Sequence, residues 1–135
     1  MALNFDQSLP AAYGMAERLS PLIERVLARN PSPFTFRGTG VYLVGDARHV
    51  AVIDPGPNQP DHLAALMAAI GTRKVTHMRV THTHRDHSPA AAPLKKMTGA
   101  KTYGFGSHAR FKDDVEEGGD RDFSPDVEVK DGEMI

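Results

Sequence analysis

The alternation of apolar and polar residues predicts short strands in the first part of the chain. Residues 23–28 alternate as in a partly buried strand, but a helix over residues 16–28, interrupted by a proline, is an alternative for the same stretch. Apolar segments at 35–36, 41–44 and 49–53 are typical of further strands, and turn residues separate them from one another. This part of the chain is therefore predicted to form a sheet.

A helix is predicted after the Asp-Pro-Gly-Pro turn that ends the strand at 49–53. Apolar side chains recur at helical spacing up to residue 70, so that one face of the helix is apolar. Asp61 is the predicted N-cap, and Gly71 is predicted to close the helix. The next apolar segment, residues 75–80, is predicted to be a strand.

The last part of the chain continues this order. Ser88 as N-cap and Pro89 at the first helical position predict a second helix that ends near residue 98. Short strands are predicted at 101–103 and 127–129, with a polar loop at 107–124 between them. Strands that alternate with helices indicate an α/β layered fold.

Composition limits the chemistry that is open to this chain. Its 135 residues match the size of one domain, and a net charge of -1 gives no electrostatic footprint for nucleic acid. Cysteine is absent, which excludes disulfides, thiolate nucleophiles and cysteine metal ligands. A transition metal would therefore be held by His, Asp or Glu.

The apolar runs predict that the chain does not enter a membrane. None of them approaches the roughly 20 residues that are needed to cross a bilayer. The N-terminal segment MALNFDQSLP lacks the basic and apolar regions of a secretory signal. We therefore expect a cytoplasmic protein.

Four side chains that can bind metal lie within six residues, directly after the strand predicted at 75–80. They are His82, His84, Asp86 and His87. If the strand geometry persists, His82 and His84 point the same way, and a turn can bring Asp86 and His87 towards a second metal ion. Two-metal hydrolytic sites have spacings of about 3.5–4 Å. Imidazole and carboxylate ligands suit zinc, and also iron or manganese.

The four other histidines lie outside this cluster, and none of them has a comparable group of histidine and carboxylate residues beside it in the sequence. We interpret them as solvent-facing or hydrogen-bonded structural residues: His49, His62, His77 and His108. Isolated histidines are more often structural than ligands, whereas three histidines and an aspartate within six residues indicate a metal site.

The segment THTHRDHS, residues 81–88, resembles the HxHxDH signature of the metallo-β-lactamase superfamily. Residues 51–56, AVIDPG, resemble the strand that ends in Asp-x-Gly in that superfamily, and residues 34–45 resemble the opening hairpin of the β-lactamase-like protein 2 subgroup. Gly40 departs from the subgroup, which commonly has Asn there. The resemblance covers residues 22–135 and implies the N-terminal half of an αββα sandwich, a mixed sheet with flanking helices.

The resemblance also implies roles for individual residues. His82 and His84 would bind one metal ion, and Asp86 and His87 the other. Asp86 would in addition orient the attacking hydroxide, and is the predicted catalytic residue. Asp54 matches a residue that usually braces the histidine loop from behind the ligands. Two zinc ions would lower the pKa of a bridging water and polarise the scissile carbonyl or phosphoryl group.

The family site contains further ligands that we do not find in this sequence. These are a third histidine for the first metal, a bridging aspartate and another histidine for the second metal. Only His108 follows His87, and its context does not resemble the family's ligand-bearing strand ends. We therefore expect residues 1–135 to form a single, truncated N-terminal αβ half. The exposed inner face of its sheet would pair with a second copy or with the missing C-terminal half.

Two functions follow from these observations. The first is a metal-dependent hydrolase of an ester, thioester or phosphodiester bond, acting on a small molecule or on RNA, although the charge balance gives RNA no independent support. The second is a truncated, catalytically incompetent chain that acts only as a metal-binding or associating half-domain. The metal content of the purified chain distinguishes the two.

Overall fold

The computed structural model describes residues 12–108 and 118–135, which form a seven-stranded sheet and two helices. The helices are α1 (Pro60–Ile70), between the fourth and fifth strands, and α2 (Ala91–Thr98), between the fifth and sixth. The strands are β1 (Ala16–Ser20), β2 (Ile23–Leu27), β3 (Gly40–Gly45), β4 (His49–Ile53), β5 (Lys74–Arg79), β6 (Lys101–Gly104) and β7 (Val127–Glu128).

The strands lie in the sheet in the same order as in the sequence, from β1 to β7. The first three pairs, β1–β2, β2–β3 and β3–β4, are antiparallel. The last three pairs, β4–β5, β5–β6 and β6–β7, are parallel. α1 and α2 provide the crossovers that the parallel pairs β4–β5 and β5–β6 require. The sheet is therefore mixed and flanked by helices, which confirms the predicted fold class.

One face of the sheet forms the core with both helices. Val41 and Leu43 of β3 are buried in one cluster with Leu66 of α1 and Leu94 of α2. The alternate residues of β3 point to the other face, where Tyr42 remains 38% exposed. Because strand side chains alternate between faces, the helices cover one face and leave apolar groups accessible on the opposite one. None of the helices in the described ranges is long and apolar enough to cross a membrane.

The N-terminal part of the sheet is a hairpin. β1 pairs with β2 in antiparallel register, with Ala16 opposite Val26, which excludes the alternative of a helix over 16–28. The strand predicted at 23–28 is confirmed. β1 was not predicted because four of its five residues are exposed, so it carries no apolar alternation to identify it.

The strand predicted at residues 35–36 is wrong. These residues belong to a turn in which the Ser32 hydroxyl accepts hydrogen bonds from the backbone N–H groups of Phe34 and Thr35. Phe36 takes the left-handed conformation at φ 57°. Local bonds from a serine hydroxyl to the backbone compete with strand pairing, which explains the outcome.

Both helix starts also differ from the prediction. The N-cap of α1 is Gln59, and Asp61 lies in the first turn, where its negative charge is favourable to the helix dipole. The N-cap of α2 is Ala90, so Ser88 and Pro89 precede the helix. The predicted strands at 75–80 and 127–129 are confirmed with ends displaced by one residue.

Asp126 joins α2, β6 and the chain before β7. Its carboxylate accepts hydrogen bonds from the Lys95 ammonium, from the Thr102 N–H at 2.9 Å and from the Thr102 hydroxyl at 3.1 Å. The bond from Lys95, followed by those from Thr102, lowers the pKa of Asp126 from 3.8 to about 2.

We expect Asp126→Asn to lower the free energy of unfolding at pH 7 by about 1 kcal/mol, because the amide loses the charge-assisted bond from Lys95. A pKa lowered by folding stabilises the protein above the unfolded value near 3.8, and this contribution disappears as the pH falls towards 2. Urea denaturation at pH 7 and pH 2 measures the difference. Asp131→Asn, on the exposed turn after β7, is the control, and a pH-independent loss in Asp126→Asn would contradict the assignment.

Candidate metal centre

The candidate site lies where two parallel strands end side by side. β4 ends at Ile53, opposite Arg79 of β5, so that Asp54 lies beside the start of the segment 81–88, which we call the motif loop. The Asp54 N–H donates to the Arg79 carbonyl at 2.8 Å, which continues the pairing by one residue. Carboxyl ends of parallel strands form such crevices in many α/β proteins.

Asp54 holds the motif loop from the side of β4. Its Oδ1 accepts from the Thr81 N–H at 2.7 Å, and its Oδ2 accepts from the Thr81 hydroxyl at 2.7 Å and lies 3.1 Å from His87 Nδ1. Burial acts to raise the pKa of Asp54, but the bonds from His87 and Thr81 outweigh it, so the pKa is lowered. Asp54 also has a φ of 50°, a conformation in which aspartate is enriched among non-glycine residues.

The turn after Asp54 binds the far end of the motif loop. The Gly56 N–H donates to the His87 carbonyl at 2.8 Å, and the Gly56 carbonyl accepts from the Ala90 N–H at 2.9 Å. The His62 ring packs beneath this turn, with Nε2 2.8 Å from the Pro55 carbonyl. A Cβ at Gly56 would lie 2.8 Å from that ring nitrogen, so the close approach requires glycine.

The motif loop brings the three predicted histidines together. The ring centroid of His82 lies 4.9 Å from that of His84 and 4.1 Å from that of His87. Asp86 joins them through its Oδ2, which lies 3.1 Å from His87 Nε2. The structure therefore places all four sequence-predicted ligands in one cluster, with Asp54 behind it.

The electrostatics of the cluster differ between its histidines. Burial, and then the neighbouring rings of His87 and His84, lower the pKa of His82. Burial acts in the same direction on His87, but its contacts with Asp54 and Asp86 outweigh burial and raise its pKa. The negative charges of Asp54 and Asp86 therefore act mainly on the His87 ring.

The donors fit a divalent metal ion. His87 contacts Asp54 through Nδ1, which orients the ring, and its Nε2 lies 3.1 Å from Asp86 Oδ2, so that these two neighbouring atoms could both be donors to one metal ion. Ligand atoms of Asp54, His82 and His87 lie within 4.8 Å of one another. This grouping differs from the predicted pairing of His82 with His84, but Asp54 already accepts both bonds from Thr81, so we regard it as the support of the loop.

Two cavities meet at the histidines. A groove of about 880 Å³ is lined by the four predicted ligands, by Arg85 and by the turn at residues 30–35, with the 96% exposed Phe34 on its far wall. A smaller pocket of about 450 Å³ lies on the other side of His82 and His84, lined by Val80, Phe105 and Phe123 among others. The imidazoles of His82 and His84 line both cavities.

Sequence reasoning missed a second support of the motif loop, residues 118–120, which we call the clip segment. It forms an isolated antiparallel bridge, with Gly119 opposite His84. Asp120 is buried and accepts a hydrogen bond from the Ser88 hydroxyl at 2.5 Å. This bond explains why Ser88 does not cap α2. A lone Asp within a polar stretch gives no local signal of such a contact.

The histidines outside the cluster lie apart from it, except His108. His49 is exposed beside Asp46, and His77 contacts Tyr103 edge-on with ring centroids 5.4 Å apart. His108 is buried, with Nδ1 2.8 Å from the Thr83 hydroxyl. The structural interpretation of these residues and of His62 agrees with their contacts.

The sequence of this chain is similar to those of known proteins of one superfamily. A sequence model of the metallo-β-lactamase superfamily matches residues 34–134. An atrochrysone carboxyl ACP thioesterase of Passalora fulva is 36% identical over 83 residues, which are 60% of this chain and 25% of the relative. A β-lactamase-like protein 2 homolog of Caenorhabditis elegans is 35% identical over 74 residues, 53% of this chain and 25% of the relative.

Solved structures show the same fold. A subclass B3 metallo-β-lactamase of Bradyrhizobium japonicum matches with a TM-score of 0.63 and 19% identity, over 92% of this chain and 48% of its own. The FEZ-1 metallo-β-lactamase of Legionella gormanii matches with a TM-score of 0.63 and 16% identity, over 94% of this chain and 51% of its own. The chain thus spans about half of these structures and about a quarter of the curated relatives above.

Proposed function

Since this chain belongs to the metallo-β-lactamase superfamily, we propose that it carries the HxHxDH half of a metal-dependent hydrolase site that cleaves an ester or thioester bond. The observation that carries the proposal is the convergence of His82, His84, Asp86 and His87 on one groove at the ends of parallel strands. A groove with clustered imidazole and carboxylate groups is the feature that hydrolytic metal sites require.

We assign His82 and His84 to one metal ion, and Asp86 and His87 to a second. Zinc suits these ligands best, and iron or manganese are alternatives. When bound, such ions supply a Lewis acid and lower the pKa of water. Asp86 accepts a hydrogen bond from the attacking water and so orients it. Asp54 supports the ligands by fixing His87 through Nδ1 and Thr81 through its amide and hydroxyl.

The relatives and the groove support our proposal for the substrate class. Two relatives with about a third of residues identical, from Passalora fulva and Aspergillus terreus, are named atrochrysone carboxyl ACP thioesterases. The groove is lined by the four predicted ligands and also by Phe34 and Pro31, whose apolar side chains suit the acyl part of a substrate. We therefore favour a thioester or ester of a small molecule over a phosphodiester or RNA.

The helix-free face of the sheet supports the proposal that this half associates with another. Tyr42 and Val44 are each 38% exposed there, on a central strand of the sheet. A second copy or a C-terminal half of the sandwich would cover them and supply the ligands beyond those that we assign. Sedimentation of the purified chain at several concentrations measures self-association.

We expect about one or two zinc ions per chain after exhaustive dialysis, measured by elemental analysis. Hydrolysis of an acyl thioester of N-acetylcysteamine should be lost after treatment with a chelator and should return when zinc is added. His82→Ala should lower the metal content, because it removes one of the two imidazoles assigned to the first ion.

His49→Ala is the matched control, since it removes an exposed histidine outside the cluster. It should retain the metal content and activity of the parent chain. A metal content near zero in the parent chain would contradict the proposal and would favour the alternative of an associating, catalytically incompetent half-domain.

A further inference from the structure

The clip segment pairs with the motif loop on the side opposite Asp54. The Arg85 N–H donates to the Gly118 carbonyl at 2.9 Å, and the Asp120 N–H donates to the Thr83 carbonyl at 2.7 Å. The Arg85 side chain adds a bond from Nε to the Gly119 carbonyl at 3.2 Å. These bonds flank His84 on both sides along the loop.

The Asp120 carboxylate makes the strongest of these links. The Ser88 hydroxyl has one proton to donate, and its contact with Asp120 Oδ2 at 2.5 Å is shorter than its contact with the His84 carbonyl at 3.3 Å. Both residues are buried, where a charge-assisted bond is strong and an unpartnered carboxylate is costly. The bond therefore ties the end of the motif loop to the clip segment.

His108 fixes the position of the clip segment itself. A Cβ at Gly119 would lie 2.1 Å from His108 Nε2, so the ring packs directly on the glycine backbone. The other ring nitrogen of His108 lies 2.8 Å from the Thr83 hydroxyl, within the motif loop. His108 thus contacts both segments and holds them at a fixed separation.

We propose that Asp120 is a positioning residue for the metal ligands, acting through Ser88 and the backbone of the motif loop. Asp54 fixes the first residue of the loop and the His87 ring, whereas the Asp120 carboxylate fixes Ser88, the last residue of the loop. The backbone of the clip segment pairs with the loop on both sides of His84, through Gly118 and Asp120. The loop is held between two buried carboxylates from different parts of the chain. The inference rests on the proposed metal site, and it assigns the clip segment a part in building that site.

The test compares Asp120→Ala and Ser88→Ala with the parent chain in two measurements. In the metal-free chain, we expect the imidazole ¹H–¹³C NMR signals of His82, His84 and His87 to shift or broaden in both variants. Competition with a chromophoric chelator should show a loss of about 10–100-fold in cobalt(II) affinity, the range found when groups that orient ligands are removed. The double variant should lose little more than either single variant, because the two residues form one interaction.

Two controls separate positioning from general stability. Val26→Ala removes a fully buried side chain of β2, in the main core, and should lower the melting temperature without changing the histidine signals or the cobalt affinity. Asp122→Ala removes an exposed carboxylate two residues from Asp120 and should leave all three quantities unchanged. All variants are compared at a temperature at which they are folded.

Unchanged histidine signals in Asp120→Ala would overturn the inference, as would an effect of the same size in Val26→Ala. If the parent chain binds no cobalt, the proposed metal site is wrong. The NMR comparison still decides whether Asp120 positions the histidines, so the two failures are distinguishable.

Discussion

Asp86→Asn is expected to lower kcat/KM for an acyl thioester by a factor of about 10²–10⁴, the range for loss of a group that orients or accepts a proton from the nucleophile. The asparagine amide has nearly the same shape as the carboxylate, so the loop should retain its conformation. The asparagine side chain lacks the negative charge of the carboxylate, whose Oδ2 lies 3.1 Å from His87 Nε2 and would bind the second metal ion. Initial rates over a range of substrate concentrations, with metal content measured in parallel, give the effect.

Asp131→Asn provides the matched control for this substitution, because it makes the same change on an exposed turn. It should keep the parent kcat/KM. Full activity in the Asp86→Asn chain would show that Asp86 has no part in the chemistry, whatever the metal content of that chain.

Asp54→Ala is expected to lower the free energy of unfolding of the metal-free chain by about 3 kcal/mol. The substitution removes the buried Asp54 carboxylate, which is the acceptor of three part-buried contacts, those with the Thr81 amide, the Thr81 hydroxyl and His87 Nδ1. The loss of each such bond costs about 1 kcal/mol. Because His87 also loses its orientation, the metal affinity should fall by about 10–100-fold. Chemical denaturation and chelator competition measure the two effects.

Asp46→Ala is a matched comparison, since Asp46 Oδ1 also accepts two backbone N–H groups, those of Arg48 and His49, but at an exposed turn. Water replaces the lost acceptor there, so its loss of stability should be much smaller and its metal affinity unchanged. If both variants lost the same free energy of unfolding, the burial of Asp54 would contribute nothing to the stability of the chain.

The main elements of the fold could be predicted from local patterns. β2 and β4 follow apolar alternation or β-branched runs, and α1 ends at Gly71 as its sequence indicates. The four predicted ligands were visible in the sequence because their close spacing is itself the signal. Asp54 was identified through the resemblance of its strand end, and its contacts with Thr81 and His87 agree with that interpretation.

The features that escaped prediction depend on contacts between distant residues. Ser88 precedes Pro89 as an N-cap would, but its hydroxyl bonds to Asp120, which lies 32 residues away. No propensity scale registers such a partner, so the predicted start of α2 was wrong by two residues. Phe36 is apolar and was assigned to a strand, yet the hydroxyl of Ser32 fixes the turn before it.

The identical order of strands in the sheet and in the sequence has a consequence for how the chain folds. Within the described ranges, each strand pairs with its neighbour in sequence, so none of these seven strands needs a distant part of the chain before it can pair. When each strand joins the sheet, the entropic cost of closing the chain is therefore that of a single turn, loop or crossover helix. Folding rates rise as contacts become more local, so the sheet can grow one strand at a time. If the sheet grows in this way, we expect the predicted ligands to form their contacts with Asp54, which use only β4 and β5, before those with the clip segment, which lies further along the chain.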